Sequence, residues 1–495
     1  MIIMGTKIIN IKRPIIFLFI SLIIFIKCEN NYVYFPLKLK DNTYLKSLNN
    51  INDTMKFIYL EPLISDIIIG EPKQKINIIF RTDCTYVYIT LKEHQIKKPD
   101  LTSEFIKKKY GDFLFYDPKE SRSIYDYNII KNYTYAYDNQ FISRLINEKI
   151  ILNGNNYNIN ISLGEYIELE ESGGFCLQIN KHDEKSIDFT SSFPVILKEN
   201  LNLINNYKWF IYYSQDNKNE YLVLGISPNE FKDPKTGNLI YPNFNKDENY
   251  FNINDIPDVK KNGMMFKFDD IYLMKNNKKI EFEDENNFYG KLMPNIGFIV
   301  GTSHYKKYIE DNLFSKYLPD KCKKDIFLQR PDLVGQEYTY YYCKESLYDT
   351  FKSSFEKIIF KQTSILKEYF ELNFNDLFIK QNGYLIFLVI FSTHEHKYWD
   401  LGKIFMKKYQ FEFDFEKKKI GYYKIQKSNK EPDNPNNTLK YILIIGGLVI
   451  LSAILIILGI IIGKNYFKNR KKRANELDDD FDYKEKNESI PIINE

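Results

Sequence analysis

Residues 66–90 contain two short apolar runs separated by a turn, a pattern typical of a β-hairpin. The turn falls at Gly70–Pro72, where glycine and proline favour a reversal of the backbone. The run that follows, Ile76–Phe80, is short and rich in β-branched residues, which is typical of a buried strand. Similar short runs recur along the chain, as at Ile150–Leu152 and Met265–Phe268. The sequence therefore predicts an all-β fold.

The longest apolar run of the chain lies near its C-terminus. Tyr441–Gly463 contains 23 residues without a charge. At about 1.5 Å per residue, this run is long enough to cross a bilayer core of about 30 Å. Lys and Arg are concentrated just after it, so residues 464–495 are predicted to form a cytosolic tail. The preceding residues 426–440, rich in Pro and Asn, are predicted to form a flexible stalk.

The N-terminus carries a second targeting signal. Lys12 and Arg13 precede the apolar run Pro14–Ile26, which suits a secretory signal peptide over residues 1–28 better than a membrane span. An uncleaved N-terminal anchor is the alternative, because no small-residue cleavage site is evident. We therefore expect a single-pass type I membrane protein of the secretory pathway or the cell surface.

The composition gives no sign of a nucleic-acid partner. Lys and Arg total 69 against 65 Asp and Glu, and both signs are interspersed, so no basic patch is predicted. The chain has 40 Tyr and 38 Phe, which we attribute to genomic nucleotide bias and a strand-rich fold. Residues 29–438 are too many for one ordinary core and predict two lobes.

Six segments, in order along residues 59–424, resemble the pepsin-like aspartic peptidase family. Residues 66–90 resemble its opening hairpin and its first active-site loop, Phe-Asp-Thr-Gly-Ser, which here reads Phe80-Arg81-Thr82-Asp83-Cys84. Residues 298–303 resemble the second active-site motif, Val-Asp-Thr-Gly-Thr-Ser. Residues 399–422 resemble the closing Trp-Ile-Leu-Gly segment. The other resemblances are at residues 115–121, 173–177 and 222–225.

The resemblance implies an all-β, bilobal pepsin-like fold with a C-terminal transmembrane helix at residues 441–463. The N-terminal lobe would span residues 57–227 and the C-terminal lobe residues 228–425. Small helices are predicted in the second lobe at Tyr305–Phe314 and Leu347–Phe360, where the apolar residues have a helical period. A cleft between the lobes would accept a peptide or protein ligand.

Both catalytic positions of the family lack a carboxylate in this chain. In the peptidases, one Asp from each lobe shares a proton with the other and holds the attacking water. The first position here is Arg81, and alignment on Gly301-Thr302-Ser303 puts the second at Ile299. No Asp or Glu occurs between Glu285 and Glu310, so no shift of the alignment supplies the second acid.

Two further residues near the predicted cleft differ from the family or from its surroundings. Asp83 replaces the loop glycine, and we interpret it as a partner of Arg81 or a cap of the loop rather than a catalytic acid. Tyr137 matches the flap tyrosine, but the neighbouring flap glycines are absent. A hairpin is therefore expected there without the mobility that glycine gives its tip.

The five cysteines fit an oxidising compartment. The resemblance implies a disulfide between Cys322 and Cys343 in the second lobe. It also brings Cys84 and Cys176 close to the first active-site loop. For that pair, a disulfide and two buried free thiols remain alternatives. Four sequons predict candidate glycosylation sites, at Asn52, Asn132, Asn160 and Asn436.

The histidines do not predict a metal site. His394 and His396 would share one face of a strand and could supply half of a site, but no third ligand is evident nearby. His304, which follows the Gly-Thr-Ser loop, is interpreted as a structural residue. No metal and no cofactor is therefore predicted.

The function that the sequence favours is a membrane-anchored pseudoprotease, which binds a peptide or protein in the cleft between its lobes. Two alternatives remain open. One is an active membrane-bound aspartic endopeptidase that uses displaced acids. The other is a surface adhesion or structural protein whose cleft has no role.

Overall fold

A computed structural model gives the fold of the chain. The structure describes residues 32–39, 45, 48–82, 87–90, 111, 114–134, 140–166, 173–177, 191–214, 219–240, 250–252, 265–280, 288–328, 337–362 and 368–422. All of them belong to one compact unit, Met1–Ile425.

Most of the regular structure is β-strand, as the sequence predicts. The strands are β1 (Val33–Pro36), β2 (Leu63–Ile69), β3 (Gln74–Arg81), β4 (Val87–Thr90), β5 (Tyr125–Thr134), β6 (Gln140–Leu152), β7 (Asn155–Tyr166), β8 (Gly173–Cys176), β9 (Lys208–Tyr213), β10 (Glu220–Leu224), β11 (Tyr250–Asn252), β12 (Met265–Lys267), β13 (Asp270–Lys275), β14 (Lys278–Ile280), β15 (Tyr289–Leu292), β16 (Ile299–Gly301), β17 (Cys322–Leu328), β18 (Glu337–Lys344), β19 (Phe355–Gln362), β20 (Glu368–Asn373), β21 (Phe378–Gln381), β22 (Tyr384–Phe387), β23 (Val389–Ser392), β24 (Trp399–Leu401), β25 (Phe411–Asp414) and β26 (Lys419–Tyr422).

Short helices connect the strands. They are α1 (Ile51–Tyr59), α2 (Phe193–Val195), α3 (Ser303–Ile309), α4 (Tyr348–Ser354), α5 (Phe374–Leu377) and α6 (Lys403–Tyr409). Short 3₁₀ or π segments lie at Pro118–Glu120, Ile196–Asn200, Glu310–Phe314 and Glu345–Leu347.

The opening hairpin forms as predicted. Strands β2 and β3 pair antiparallel, with Leu63 opposite Phe80 and Ile69 opposite Gln74. Gly70 has a φ of +79°, a backbone conformation that favours glycine over any residue with a side chain. The apolar side chains of Ile76 and Phe80 are fully buried in the core. Burial of one face and the glycine turn together fix the register of this hairpin.

Two large sheets repeat one arrangement of strands. The first-half sheet has the order β2-β3-β8-β4-β7-β6-β5, and the second-half sheet has the order β12-β15-β24-β16-β23-β18-β22-β21. In each sheet the first five pairings run antiparallel, parallel, antiparallel, parallel and antiparallel. The strands also occur in the same relative order along the chain. The two sheets are therefore structural copies of each other.

A third sheet contains strands from both ends of the described chain. Its order is β1-β10-β9-β25-β26-β11, and β25 from the C-terminal part pairs with β9. The rings of Trp209 and Phe413 stack across that pairing, with centroids 4.0 Å apart. This joining sheet ties the strand-rich halves together. The remaining sheet is small and has the order β14-β13-β19-β20.

One predicted helix is longer than the helix that forms. Tyr305–Phe314 is confirmed as α3 and the π segment after it, whereas only Tyr348–Ser354 of Leu347–Phe360 is helical. Residues from Phe355 onward form β19, which pairs with β13 on one side and β20 on the other. Its aromatic and β-branched side chains fit a central strand, so sheet packing overrides the helical period.

The disulfide between Cys322 and Cys343 is present and confirms that prediction. The two cysteines are directly opposite each other in the antiparallel pair β17–β18, and both are buried.

Among the described residues, no helix is both long enough and apolar enough to span a bilayer. The signal peptide, stalk, transmembrane helix and tail all fall at positions that the structure does not describe. Those four assignments remain predictions.

Candidate functional site

In the first-half sheet, Arg81 ends β3 on the face opposite the core. The preceding residue, Phe80, is in the core, and side chains alternate between the faces of a strand. The Nη1 atom of Arg81 donates to the hydroxyl of Tyr88, 3.5 Å away, and the Arg81 side chain is half-buried. Tyr88 lies between core residues of β4, so it shares this face with Arg81.

Gly174 makes room for the Tyr88 ring. A Cβ atom at position 174 would lie 2.2 Å from Cε1 of Tyr88, a distance that real atoms do not allow. Gly174 belongs to β8, the strand between β3 and β4. Tyr88 therefore lies across the middle of the sheet next to Arg81, and the site needs a glycine at this position.

The register identifies the counterpart of Arg81 in the second-half sheet. Phe175 of β8 pairs with Phe80 and Val87, while Leu401 of β24 pairs with Leu292 and Ile299. Val87 follows Phe80 by seven residues, and Ile299 follows Leu292 by seven residues as well. These pairings therefore match Phe80 with Leu292 and Val87 with Ile299.

It follows that Met293, the residue after Leu292, is the counterpart of Arg81. The sequence alignment matched Ile299 instead, because it was anchored on Gly301-Thr302-Ser303. In the structure Gly301 ends β16, the strand after the loop, and Ile299 points into the core. The expected equivalence of Ile299 and Arg81 is thus corrected to Met293.

The loop that contains Met293 is held by backbone hydrogen bonds. The Met293 amide donates to the carbonyl of Leu401 at 3.0 Å, and the Lys403 amide donates to the carbonyl of Ile296 at 2.8 Å. The Gly297 amide donates to the carbonyl of Tyr59 at 2.9 Å. The last of these bonds joins the loop to the end of α1, which precedes β2 in the chain.

Helix α1 packs on the face of the second-half sheet that corresponds to the Arg81 face. Met55, Ile58 and Tyr59 form one apolar cluster with Val300 and other residues of that sheet, and Met293 packs against the cluster. The other buried members are Ile296, Phe298, Phe327, Tyr338, Tyr340, Tyr342, Ile386, Leu388 and Ile390. The position equivalent to Arg81 is therefore in apolar surroundings.

The sequence contains the signals for α1, a helix that was not predicted. Asn50 caps its N-terminus, since its side chain accepts a hydrogen bond from the Asn52 amide at 2.8 Å. Asp53 lies in the first turn, where a negative charge favours the helix dipole. Residues 51, 55, 58 and 59 are apolar at helical spacing.

Asp400 is an acidic residue on the same face as Met293. Its neighbours Trp399 and Leu401 point into the core, so the Asp400 side chain lies on the opposite face. Its carboxylate is 3.3 Å from Nε2 of His396, and 16% of its side chain is exposed. The register places Asp400 beside Lys291 and Val300 rather than beside Met293.

The two histidines do not share a strand face, contrary to expectation. Strand β23 ends at Ser392, and His394 and His396 lie in the loop that follows it. The hydroxyl of Ser303 bridges this loop, since it donates to the carbonyl of His394 and accepts from the amide of His396, both at 2.8 Å. No group of metal ligands occurs among the described residues. His304 is exposed.

Several predicted site residues lie outside the described residues. They are Asp83, Cys84 and Tyr137. Cys176 is buried beside Arg81 in the register and is disulfide-bonded. Its pairing with Cys84 stays a prediction.

Two of the glycosylation candidates have described side chains, and both side chains make hydrogen bonds. The oxygen of Asn52 accepts from the hydroxyl of Tyr340. The oxygen of Asn160 accepts from Asn147 at 2.8 Å and from Tyr127 at 3.3 Å. The side chain of Asn132 and all of Asn436 lie outside the description, and glycosylation at the four positions stays a prediction.

Comparison with known proteins gives no matching family model and no matching curated protein. Any functional assignment therefore depends on the residues, contacts and strand register of this chain.

Proposed function

We propose that the protein is a non-catalytic homologue of the pepsin-like aspartic peptidases that binds a peptide or protein between its two halves. A single transmembrane helix at residues 441–463 anchors it, with the larger part of the chain on the lumenal or extracellular side. The ligand contacts the two half-buried residues at the matched positions, Arg81 in one half and Met293 in the other.

The repeated strand order supports the pepsin-like part of this proposal. The family has two lobes of similar topology, each delivering one active-site loop from the end of a central strand. In this chain the loops after β3 and β15 occupy matching places in the two copied sheets. The joining sheet, with strands from both halves, further supports a bilobal arrangement.

The observation that carries the non-catalytic assignment is the identity of the two matched residues, Arg81 and Met293. An aspartic peptidase needs two carboxylates, one acting as base and the other as acid on a shared water. A guanidinium stays protonated and a thioether does not exchange protons, so neither side chain does this work. Each missing acid–base group lowers the rate of peptide hydrolysis by about 10²–10⁴-fold.

A second candidate function, proteolysis with a displaced acid, depends on Asp400. This carboxylate lies on the relevant face, but it is 3.3 Å from Nε2 of His396 and is adjacent to Lys291 in the register, not to Met293. A peptidase of this type also needs a second acid near Arg81. The non-catalytic assignment needs neither a displaced acid at Asp400 nor a second acid near Arg81, and it is therefore preferred.

Binding of pepstatin tests the proposal, because this inhibitor binds through the paired carboxylates of the active dyad. We expect no saturable binding to the full-length protein, in detergent between pH 3 and 7, at a Kd below about 10 µM, a free energy of about −7 kcal/mol. Pepsin measured in parallel is the positive control. Saturable binding in the nanomolar range would mean that an intact dyad exists and would overturn the proposal.

A further inference from the structure

A row of side chains crosses three neighbouring strands at the β5 end of the first-half sheet. Tyr125 of β5 is directly opposite Asn147 of β6, and Asn147 is directly opposite Asn160 of β7. Residues directly opposite each other in antiparallel strands place their side chains on the same face. Tyr125, Asn147 and Asn160 therefore lie side by side on one face of the sheet.

The aromatic end of this row is held in place and yet exposed. Tyr125 has 62% of its surface in solvent. The ring of Tyr127 packs against the Tyr125 ring edge to face, with centroids 5.0 Å apart and the ring planes at 80°. The two rings support each other, so they offer a preformed surface on which another apolar group can pack.

The side-chain amide of Asn160 is oriented by its neighbours. Its Oδ1 atom accepts a hydrogen bond from Nδ2 of Asn147 at 2.8 Å and another from the hydroxyl of Tyr127 at 3.3 Å. Both bonds use the amide oxygen and leave the amide nitrogen, Nδ2, for other bonds. This nitrogen is the atom to which a sugar is joined in N-linked glycoproteins. The contacts of Asn160 are therefore compatible with a glycan, and they orient its point of attachment.

We propose that Asn160 carries an N-linked glycan and that the first sugar of this glycan packs on the rings of Tyr125 and Tyr127. Asn160-Ile161-Ser162 is a complete sequon. A pyranose has a face of C–H bonds, and the positive hydrogens of such a face are attracted to the negative face of an aromatic ring. The inference rests on the proposed function only for the lumenal or extracellular position of this part of the chain.

The glycan is transferred before β7 folds. Ser162, the residue that completes the sequon, is only 1% exposed in the folded chain, so a transferase reaches it only earlier. The donor is an oligosaccharide linked to a lipid diphosphate, and a transferase of the host catalyses the step. Nδ2 of Asn160 forms a bond to C1 of the first sugar and gives up a proton. The C1–O bond to the donor breaks, and the lipid diphosphate leaves with the bonding electron pair.

Ser162→Ala removes the sequon without changing Asn160. The hydroxyl of Ser162 has no hydrogen-bond partner among the described residues, so its loss leaves no described group unpaired. The row of Tyr125, Asn147 and Asn160 stays intact in this variant. It is therefore the matched unglycosylated control for the unmodified protein.

Mapping of the attached sugar tests the first part of the inference. Full-length protein from a eukaryotic secretory host is denatured, treated with peptide-N-glycosidase in heavy-oxygen water, and digested with trypsin. Cleavage after Lys149 and Lys181 gives a peptide in which Asn160 is the sole sequon. The glycosidase converts a glycosylated asparagine into aspartate that contains heavy oxygen. We expect this label at Asn160 in the unmodified protein and its loss in Ser162→Ala.

The other sequons separate a failure of this inference from a failure of the proposed function. Heavy label at Asn52, Asn132 or Asn436 without label at Asn160 would show that the chain reaches the lumen, and it would overturn this inference alone. Absence of label at all four positions would contradict the lumenal position, and with it both this inference and the anchored topology of the proposed function.

Release of the glycan from the folded protein tests the packing of the first sugar. Packing on the rings shields the sugar, so Tyr125→Ala should speed its release from Asn160 by the glycosidase roughly fivefold, equivalent to about 1 kcal/mol. Tyr369→Ala is the matched control, since Tyr369 is 44% exposed in β20 of the small sheet, and it should leave the rate unchanged. Equal release rates for Tyr125→Ala and the unmodified protein would overturn the packing of the sugar on the rings.

Discussion

Replacing Lys403 by methionine is expected to lower the free energy of unfolding by about 3–5 kcal/mol, because it removes one partner of a buried ionic cluster. Lys403 opens α6, and its ammonium lies 2.8 Å from Glu220 and 3.3 Å from Glu61. Glu220 is 5% exposed and Glu61 2% exposed. The cluster thus connects α6 with β10 and with the segment between α1 and β2.

The electrostatics of this cluster explain the size of the effect. Burial acts to lower the pKa of Lys403, but the carboxylates of Glu61 and Glu220 outweigh it and hold the pKa above its usual value. Burial, together with repulsion from Lys403, lowers the pKa of Lys407, which is the second lysine at Glu220. Lys407 therefore compensates only in part when Lys403 is lost.

A denaturant titration of the full-length protein gives the measurement, with Lys324→Met as the matched control. Lys324 pairs with Glu310 at 2.7 Å, but these side chains are 41% and 28% exposed. An exposed pair contributes at most about 1 kcal/mol. Equal losses for the two variants would contradict the buried-cluster explanation.

Truncating Trp209 to alanine is expected to cost about 3–5 kcal/mol, the usual range for removal of a buried aromatic side chain. Trp209 is fully buried in the joining sheet, where it is opposite Leu224 of β10 and Phe413 of β25. The cavity would open between strands that come from distant parts of the chain. The joining sheet should then lose cooperativity with the rest of the fold.

Tyr125→Ala is the control for this second variant. Tyr125 has 62% of its surface exposed and begins β5, at the edge of the first-half sheet. We expect a loss within about 1 kcal/mol at this exposed position, measured by the same titration. A loss for Trp209→Ala as small as that for Tyr125→Ala would argue against a joining sheet.

The strands could be predicted from the sequence because they depend on local patterns, and the disulfide because the family resemblance implies it. The hairpin of β2 and β3 combines two apolar runs with a glycine turn, and Cys322 and Cys343 form the predicted bond. The apolar residues of 347–360 have a helical period, which predicts a helix that includes residues 355–360. These residues form strand β19 because they pair with β13 and β20. Such pairing with distant strands cannot be read from the sequence of the segment itself.

The candidate site was predicted only in its first half. Arg81 is where the motif indicated, whereas Met293 was missed because Met293-Pro294-Asn295 retains nothing of the Asp-Thr-Gly pattern. Only the register of β15, β16 and β24 reveals its place. Helix α1 was not predicted, although Asn50 caps it and its apolar residues have helical spacing, because a nine-residue helix gives only a short periodic signal.

Cleavage of a denatured protein substrate by the full-length protein, between pH 3 and 7, tests the central claim most directly. With Arg81 and Met293 at the two matched positions, we expect no release of peptides above a substrate blank. Asp400→Asn is measured alongside and should give the same blank value. Peptide release by the unmodified protein that pepstatin blocks, or that Asp400→Asn abolishes, would contradict the non-catalytic assignment.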